Sequence, residues 1–214
     1  MPKTKPFDRH HAAYEKWFKE NHYAYESELR AVKHFIPEKG RGIEIGSGSG
    51  RFAIPLGITE GIEPSYSMRK LAKQNGMEAL FGLAEHLPLE NESYDFVLMV
   101  TTICFVDHPQ MAVNEMYRIL KPGGSAVIGL VDKESPMGWV YRENKHKSRF
   151  YYEASFFSVP EIDNFMKKAG FASLEFVQTL FGQLEDVNAI QSFKVGYGDG
   201  SFVVVRGKKS FNKG

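Results

Sequence analysis

The chain has 214 residues, 43% of them apolar and 25% charged. This composition predicts one globular domain whose core is large enough to be stable without disulfides or structural metals. The 27 Lys and Arg residues nearly balance the 26 Asp and Glu residues. The chain therefore lacks the large positive net charge that would attract a nucleic acid or an acidic membrane surface. The single cysteine, Cys104, excludes an internal disulfide framework.

Neither a leader nor a membrane span is indicated by the apolar residues. The N-terminal segment 1–8 has no apolar core of signal-peptide length, and no apolar run elsewhere approaches the length of a span. With one cysteine, the simplest expectation is a protein of the reducing cytoplasm without a membrane partner. The seven histidines lack the spacing of metal ligands, so no metal site is expected.

In chain order, the first pattern is helical. Aromatic and apolar residues recur near helical spacing from Tyr14 to Phe35, which predicts one or two leading helices. A short apolar strand at 42–45 follows, then a cluster of glycines, then a short helical stretch from Arg51. Further strands are predicted at 58–63, 78–81, 95–100, 125–130, 174–180 and 201–206.

Helical stretches separate most of these strands, and this alternation predicts an α/β fold with a mostly parallel sheet and helices on both faces. No amphipathic helix lies between the last two of the seven strands, where a Gly-Tyr-Gly-Asp-Gly turn occupies 196–200. These two strands are therefore predicted to form an antiparallel hairpin. Ligands of such sheets bind beyond the carboxyl ends of the strands, where the strand order reverses.

The glycine cluster, Glu44-Ile45-Gly46-Ser47-Gly48-Ser49-Gly50, lies directly after the first strand. Alternate glycines let the backbone turn sharply and approach a ligand, although an ordinary turn is the alternative for such a cluster alone. Dinucleotide enzymes have a third glycine where this chain has Arg51. Because the Glu44 carboxylate repels a pyrophosphate and attracts an ammonium group, S-adenosylmethionine suits this turn better than a dinucleotide.

A second acid ends the second strand in Gly61-Ile62-Glu63-Pro64-Ser65, where a carboxylate can accept both hydroxyls of a ribose. The chain thus has an acid before alternate glycines, and later a second acid before Pro-Ser and a methionine, Met68. In this order of motifs it resembles the class I S-adenosylmethionine-dependent methyltransferases. The resemblance is to the small-molecule group related to the ubiquinone and menaquinone biosynthesis methyltransferases. It covers 42–130, with matching segments at 82–89, 93–97 and 115–124.

This resemblance implies a Rossmann-like class I methyltransferase fold and transfer of a methyl group to a small-molecule acceptor by in-line displacement. It implies a single domain, 1–214, made of a helical cap (1–38), a cofactor-binding core (39–131), a substrate-lid insertion (132–160), and the last helix with the strand hairpin (161–214). Together with the motifs above, it predicts a cofactor site formed by Tyr14, Glu44, Gly46, Ser47, Gly48, Gly50, Glu63, Pro64, Met68, Leu83, Ala84, Glu85 and Thr101.

The sequence departs from the family pattern at two places. The group usually has an aspartate before Ala-Glu that accepts the adenine amino group, and this chain has Leu83, so that hydrogen bond must come from a neighbour such as Glu85 or from water. The stretch between Gly50 and Gly61 is shorter than usual, which suggests a truncated first helix.

Three further positions each allow two interpretations. Tyr14 fits the packed face of a helix, but the resemblance favours a hydroxyl that covers the methionine end of the cofactor. Thr101 follows the fourth strand, where either cofactor contact or ordinary packing fits. Cys104 could be a nucleophile in principle, yet no base or cation flanks it, so a buried, inert thiol is expected.

The basic run at 142–149 could be a nucleic-acid footprint, but a solvated helix face followed by core aromatics is the better interpretation. Since it lies in the lid insertion, its aromatic residues at 150–152 are expected near the acceptor. The candidates for a base that removes the acceptor's proton are Tyr141, Tyr151, Tyr152, His146 and Glu153.

Two other functions fit the same pattern less well. A nicotinamide-dependent oxidoreductase would use a similar sheet, but Arg51 and the C-terminal hairpin argue against it. A non-catalytic protein that binds S-adenosylmethionine on the same fold is the other alternative, and Leu83 leaves it open.

Overall fold

The computed structural model describes residues 3–211. Two helices lead the chain, α1 (Lys5–Glu20) and α2 (His22–Lys33), as the sequence predicts. Helix α1 begins well before Tyr14 because a proline in its first turn needs no backbone hydrogen-bond partner there. A kink at His10, where φ is −124°, bends α1 near its N-terminal end.

Within residues 3–211 eight strands form one sheet, with the spatial order β3-β2-β1-β4-β5-β8-β6-β7. The strands are β1 (Gly42–Ile45), β2 (Glu60–Ile62), β3 (Glu78–Leu80), β4 (Tyr94–Val100), β5 (Leu120–Val131), β6 (Phe171–Thr179), β7 (Lys194–Val195) and β8 (Phe202–Lys209). The first five strands are parallel, and β8 lies antiparallel between β5 and β6. The predicted α/β fold and antiparallel C-terminal pair are confirmed.

The predicted count of seven strands is one too low. Strand β7 adds two edge residues, Lys194 and Val195, which pair with Gln178 and Val177 of β6. So short an edge strand leaves no alternating pattern in the sequence and depends on the neighbouring strand for its hydrogen bonds.

Helices cover both faces of the sheet, as predicted. In β4 the side chains of Val97 and Met99 join one apolar cluster, while Leu98 and Val100 join the other. The first cluster packs under α4 (Pro109–Ile119) and α6 (Val159–Ala169), and the second packs under α1, α2 and the start of α5 (Pro136–Asn144). Because successive side chains of a strand point to opposite faces, the central strands are apolar throughout.

The segment after the glycine cluster contains only a three-residue 3-10 helix, Ile54–Leu56, so the predicted truncation of the first helix is confirmed. Gly57 ends it with a φ of 76°, a left-handed conformation that favours glycine. The leading helices pack beside this short segment, where the ring of Phe52 lies 5.6 Å from that of Tyr25. Helix α3 (Tyr66–Gln74) then begins at Ser65, whose hydroxyl accepts a hydrogen bond from the Met68 amide. None of the helices formed by residues 3–211 is both long and apolar enough to cross a membrane.

Candidate active site

A cavity of about 410 Å³ lies at the carboxyl ends of β1, β2 and β4, within the size range of small-molecule sites. The structure brings ten of the thirteen predicted cofactor residues to its wall: Tyr14, Gly46, Gly48, Glu63, Pro64, Met68, Leu83, Ala84, Glu85 and Thr101. The other three predicted residues, Glu44, Ser47 and Gly50, lie in or directly before the glycine turn and do not line the cavity.

The three glycines of the turn all have a positive φ, at 71°, 55° and 85°, which explains why side chains are absent there. Gly46 is enclosed by protein, because a Cβ on it would lie 2.2 Å from Thr102 Cγ2, and Gly50 is similarly enclosed. Gly48 instead faces the cavity, where the nearest atom to an added Cβ is the Tyr14 hydroxyl at 3.1 Å. Gly48 is therefore the glycine whose missing side chain leaves room for a ligand.

Glu63 connects the two strand ends that form the site. Its Oε2 accepts a hydrogen bond from the Gly48 amide at 2.8 Å, and its Oε1 accepts one from the Ser65 amide at 2.8 Å. Each oxygen keeps a further lone-pair direction for a ligand hydroxyl. The Arg69 guanidinium donates to the backbone carbonyls of Glu63 and Pro64 and so holds this strand end in place. Burial raises the pKa of Glu63 to about 7.

Glu44 lies beneath the turn, 2% exposed, and its Oε2 accepts a hydrogen bond from the Ala53 amide at 3.0 Å. Burial, with a smaller contribution from the charge of Glu63, raises the pKa of Glu44 well above its usual range. Burial and these same two carboxylates also raise the pKa of the Tyr14 hydroxyl. A cation bound beside the turn would stabilise the ionised form of both carboxylates, so the electrostatics of this end favour a positively charged ligand.

Helix α1 covers the glycine turn through side chains that the sequence reasoning missed. Glu15 forms an ion pair with Arg51 and accepts a hydrogen bond from the Ser49 hydroxyl. Asp8 accepts a hydrogen bond from the Ser65 hydroxyl at 2.6 Å. These partners are 34 to 57 residues apart in the chain and share no motif, so no local signal in the sequence could have identified them.

Glu85, which the sequence predicts beside the adenine, has hydrogen-bond partners within the protein. Glu85 Oε1 accepts hydrogen bonds from the backbone amides of Asp107, at 2.8 Å, and His108, at 3.2 Å, and thereby joins two loops at the cavity wall. Leu83 and Ala84 present apolar surface beside it. Thr101 has a φ of 49°, an uncommon value for a residue with a side chain, and such backbone strain is often found at functional sites.

Rings from distant parts of the chain converge on the rest of the cavity wall. They belong to Phe7, Tyr14, Trp17, Phe18, Phe52, Phe105, Tyr141, Phe150 and Tyr151. The ring of Tyr151 stacks between those of Tyr141, at 5.3 Å, and Phe105, at 5.8 Å. This part of the wall is therefore largely apolar, which helps to keep water away from a reaction.

The structure separates the five candidate bases. Tyr141 and Tyr151 line the cavity, whereas Tyr152, His146 and Glu153 are exposed and lie outside its wall. The aromatic run at 150–152 was expected near the acceptor, but only two of its residues lie at the cavity. Phe150 and Tyr151 line the wall, while Tyr152 is 64% exposed.

The thiol of Cys104 is buried and donates a hydrogen bond to the Thr101 carbonyl at 3.2 Å. Burial raises its pKa to about 12, which leaves almost no thiolate at neutral pH. The prediction of a buried, inert thiol agrees with this environment.

A buried acid in the cavity wall, Glu28, was also missed. Glu28 of α2 is 5% exposed and lines the cavity, and burial raises its pKa to about 8. The signal was present in the sequence, because Ala24, Ala31 and Val32 place Glu28 on the buried face of an amphipathic helix. An acid on such a face is unusual and marks a position that deserves a functional explanation.

Comparisons with known proteins agree with this geometry. A family model described as a methyltransferase domain matches residues 43–128. A solved structure from Thermotoga maritima, an S-adenosylmethionine-dependent methyltransferase described as a possible histamine N-methyltransferase, is 52% identical. The match covers 97% of this chain and all of that one, with a TM-score of 0.94. The chain belongs to the S-adenosylmethionine-dependent methyltransferases.

More distant relatives are consistent with that family. An uncharacterised protein of Methanocaldococcus jannaschii is 40% identical over 95% of this chain and 98% of its own length. A ubiquinone/menaquinone biosynthesis C-methyltransferase of Bartonella tribocorum is 29% identical over 52% of this chain and 42% of its own length. The resemblance inferred from the motifs is confirmed. The methyltransferase uses S-adenosylmethionine as its methyl donor, and the nicotinamide alternative is wrong.

Proposed function

We propose that this methyltransferase transfers the methyl group of S-adenosylmethionine to a small-molecule acceptor bound against the aromatic wall of the same cavity. The observation that supports this most strongly is that one cavity includes both the glycine turn and the converging aromatic rings. An acceptor there lies beside the donor and away from bulk water. The balanced charge of the whole chain favours a small acceptor over a nucleic acid.

In this proposal the residues near the turn bind the donor. Glu63 accepts the ribose hydroxyls, the backbone at Gly48 lies against the ligand, and the Tyr14 hydroxyl bonds the carboxylate of the methionine part. Leu83 and Ala84 pack against the adenine, with Glu85 beside its amino group. The remaining members of the predicted site, Gly46, Ser47, Gly50, Pro64, Met68 and Thr101, shape the turn and the wall, and Glu44 supplies negative charge from beneath.

The parts of the chain have separate tasks in this scheme. The helical cap, 1–38, covers the donor through the ion pair between Glu15 and Arg51. The core, 39–131, binds the donor, and the insertion at 132–160 supplies Tyr141, Phe150 and Tyr151 to the acceptor wall. In the last part, 161–214, the described residues up to 211 complete the sheet through β6, β7 and β8.

S-adenosylmethionine brings a methyl group that its sulfonium already activates. The chain therefore needs to hold an acceptor lone pair in line with that methyl group and to exclude water. The stacked rings of Tyr141, Tyr151 and Phe105 restrict the orientation of a flat or short acceptor. Burial raises the pKa of Tyr141 and of Tyr151, so both phenols stay protonated and act as hydrogen-bond donors rather than as phenolate bases.

The test is a screen of small amines, phenols and carboxylic acids, in which turnover is measured by the release of S-adenosylhomocysteine. Amines are included because the Thermotoga protein is described as a possible histamine N-methyltransferase. The expected result is turnover with at least one small acceptor. In Tyr151→Ala that turnover should fall at least about tenfold while the affinity for the donor stays unchanged. The reason is that the deleted ring would touch the acceptor and not the donor. Methylation of protein or RNA without turnover of any small molecule would refute the proposal.

A further inference from the structure

The carboxyl group of Glu28 has no partner in the cavity wall, unlike the other buried acids of the site. Glu44 and Glu63 accept backbone hydrogen bonds, and Glu15 and Glu85 also have partners. Among residues 3–211 no hydrogen bond or ion pair reaches the side chain of Glu28, although it is only 5% exposed. Buried polar groups in native proteins are nearly always satisfied, so this carboxyl is expected to meet its partner in the cavity.

The titratable groups near Glu28 are phenols and not cations. The charge of Glu28 contributes to the raised pKa of Tyr25, Tyr141 and Tyr151, which identifies these phenols as its titratable neighbours. The hydroxyl of Tyr25 already donates to the Arg51 carbonyl. Lys3 is the lysine of the cavity wall, and it pairs with Asp107 at 3.5 Å instead.

We propose that Glu28 is the acceptor-binding carboxylate of this methyltransferase, and that the acceptor is a small organic amine that binds as an ammonium cation. This inference rests on the proposed function, because it assigns the acceptor to the cavity that also holds the donor. One feature besides the unpaired carboxyl points to a cation. Much of the wall is built of aromatic rings, whose faces attract an ammonium group.

Charge also explains which molecules the site would reject. A carboxylic acid brought against Glu28 would place two acids together in a dry cavity, and a neutral alcohol would leave the carboxylate without a counter-ion. An ammonium group satisfies the carboxylate and the rings together. Since burial holds the proton on Glu28 before the amine binds, binding of the cation must displace that proton into solvent. For methyl transfer the bound ammonium then gives one proton to the Glu28 carboxylate. The lone pair that this frees forms the new nitrogen–carbon bond as the methyl–sulfur bond breaks and S-adenosylhomocysteine leaves.

The experiment uses the full chain saturated with S-adenosylhomocysteine, so that binding is measured without turnover. Calorimetry at pH 7, in two buffers with different ionisation enthalpies, follows the binding of histamine, tyramine and 2-phenylethylamine, with 2-phenylethanol as the uncharged counterpart. The expected result is that an amine binds and about one proton is released per site, while the alcohol binds more weakly and releases none.

Three variants distinguish recognition from support of the fold. In Glu28→Gln the amine should bind on the order of 10- to 100-fold more weakly, without proton release, because a charge-assisted hydrogen bond is lost. Glu28→Asp keeps the carboxylate and should restore the proton release. Glu26→Gln lies on the same helix outside the cavity wall and should behave as the wild-type protein does. All variants should bind S-adenosylhomocysteine with the wild-type affinity.

Several results would overturn the inference. They are equal affinities for amine and alcohol, amine binding without proton release in the wild-type protein, no binding of any amine to the loaded protein, or undiminished amine binding by Glu28→Gln. If Glu28→Gln fails to fold, the inference is tested by the wild-type protein and Glu28→Asp, both of which must release a proton when the amine binds. Failure of the wild-type protein to bind S-adenosylhomocysteine would instead count against the proposed function.

Discussion

The buried carboxyl of Glu28 predicts an unusual dependence of stability on pH. In the unfolded chain this carboxyl titrates near its ordinary value of 4.5, whereas burial raises its pKa to about 8 in the folded protein. Between these two values the folded protein keeps a proton that the unfolded chain has lost. The free energy of unfolding therefore falls as the pH rises through this window, and Glu28→Gln, which cannot ionise, should be free of that loss.

The size of the effect follows from the two pKa values. Their separation of about 3.5 pH units, at about 1.36 kcal/mol for each unit, gives an upper limit near 5 kcal/mol at alkaline pH. Most of this loss, about 3 kcal/mol, falls between pH 5 and pH 8. Because Glu28 as a residue is only 5% exposed, solvent screens its charge little.

The assay is urea unfolding of the wild-type protein, Glu28→Gln and the Glu26→Gln control at pH 5, 6, 7 and 8. The advantage of Glu28→Gln over the wild-type protein should grow by about 3 kcal/mol from pH 5 to pH 8, and the Glu26→Gln curve should follow the wild-type curve. Parallel curves for all three proteins would show that the Glu28 carboxyl ionises normally when folded, and the reasoning from its burial would be wrong.

Three further predictions concern the donor site. Glu63→Ala should weaken the binding of S-adenosylmethionine by about 1.5 to 3 kcal/mol in calorimetry, because two charge-assisted hydrogen bonds to the ribose are lost; an unchanged dissociation constant in a folded variant would remove Glu63 from the site. Gly48→Val should abolish binding at a cost of about 1 to 3 kcal/mol in stability, since the new side chain enters the cavity at a positive φ. Its control is Gly46→Val, which clashes with Thr102 and should lose much more stability, and wild-type affinity in Gly48→Val would place the donor elsewhere. Tyr14→Phe should weaken donor binding by about 1 kcal/mol without a change in melting temperature, and an unchanged affinity would assign the hydroxyl to packing alone.

The sequence by itself determined the family and predicted the residues of the proposed donor end of the site. Alternate glycines after an apolar strand, with an acid at the end of the next strand, are local patterns that follow from backbone conformation and strand position. The positive φ at all three glycines and the hydrogen bond between Glu63 and Gly48 agree with that reasoning. The alternation of strands and helices likewise predicted the parallel sheet, because periodicity reflects which faces are buried.

Only the tertiary structure brought together the residues of the proposed acceptor end. Glu28, Phe105, Tyr141 and Tyr151 come from a leading helix, a loop and the insertion, and more than 70 residues separate Glu28 from the first of these rings. No local spacing relates them, since they meet only when α1 and α2 fold over the sheet. The burial of Glu28 is equally a property of the assembled cavity, and burial is what raises its pKa. A backbone conformation such as a positive φ depends on the residues at that position, so it can be predicted from a short stretch of sequence. The burial of a side chain and its contacts with distant residues depend on packing, so they appear only in the folded structure.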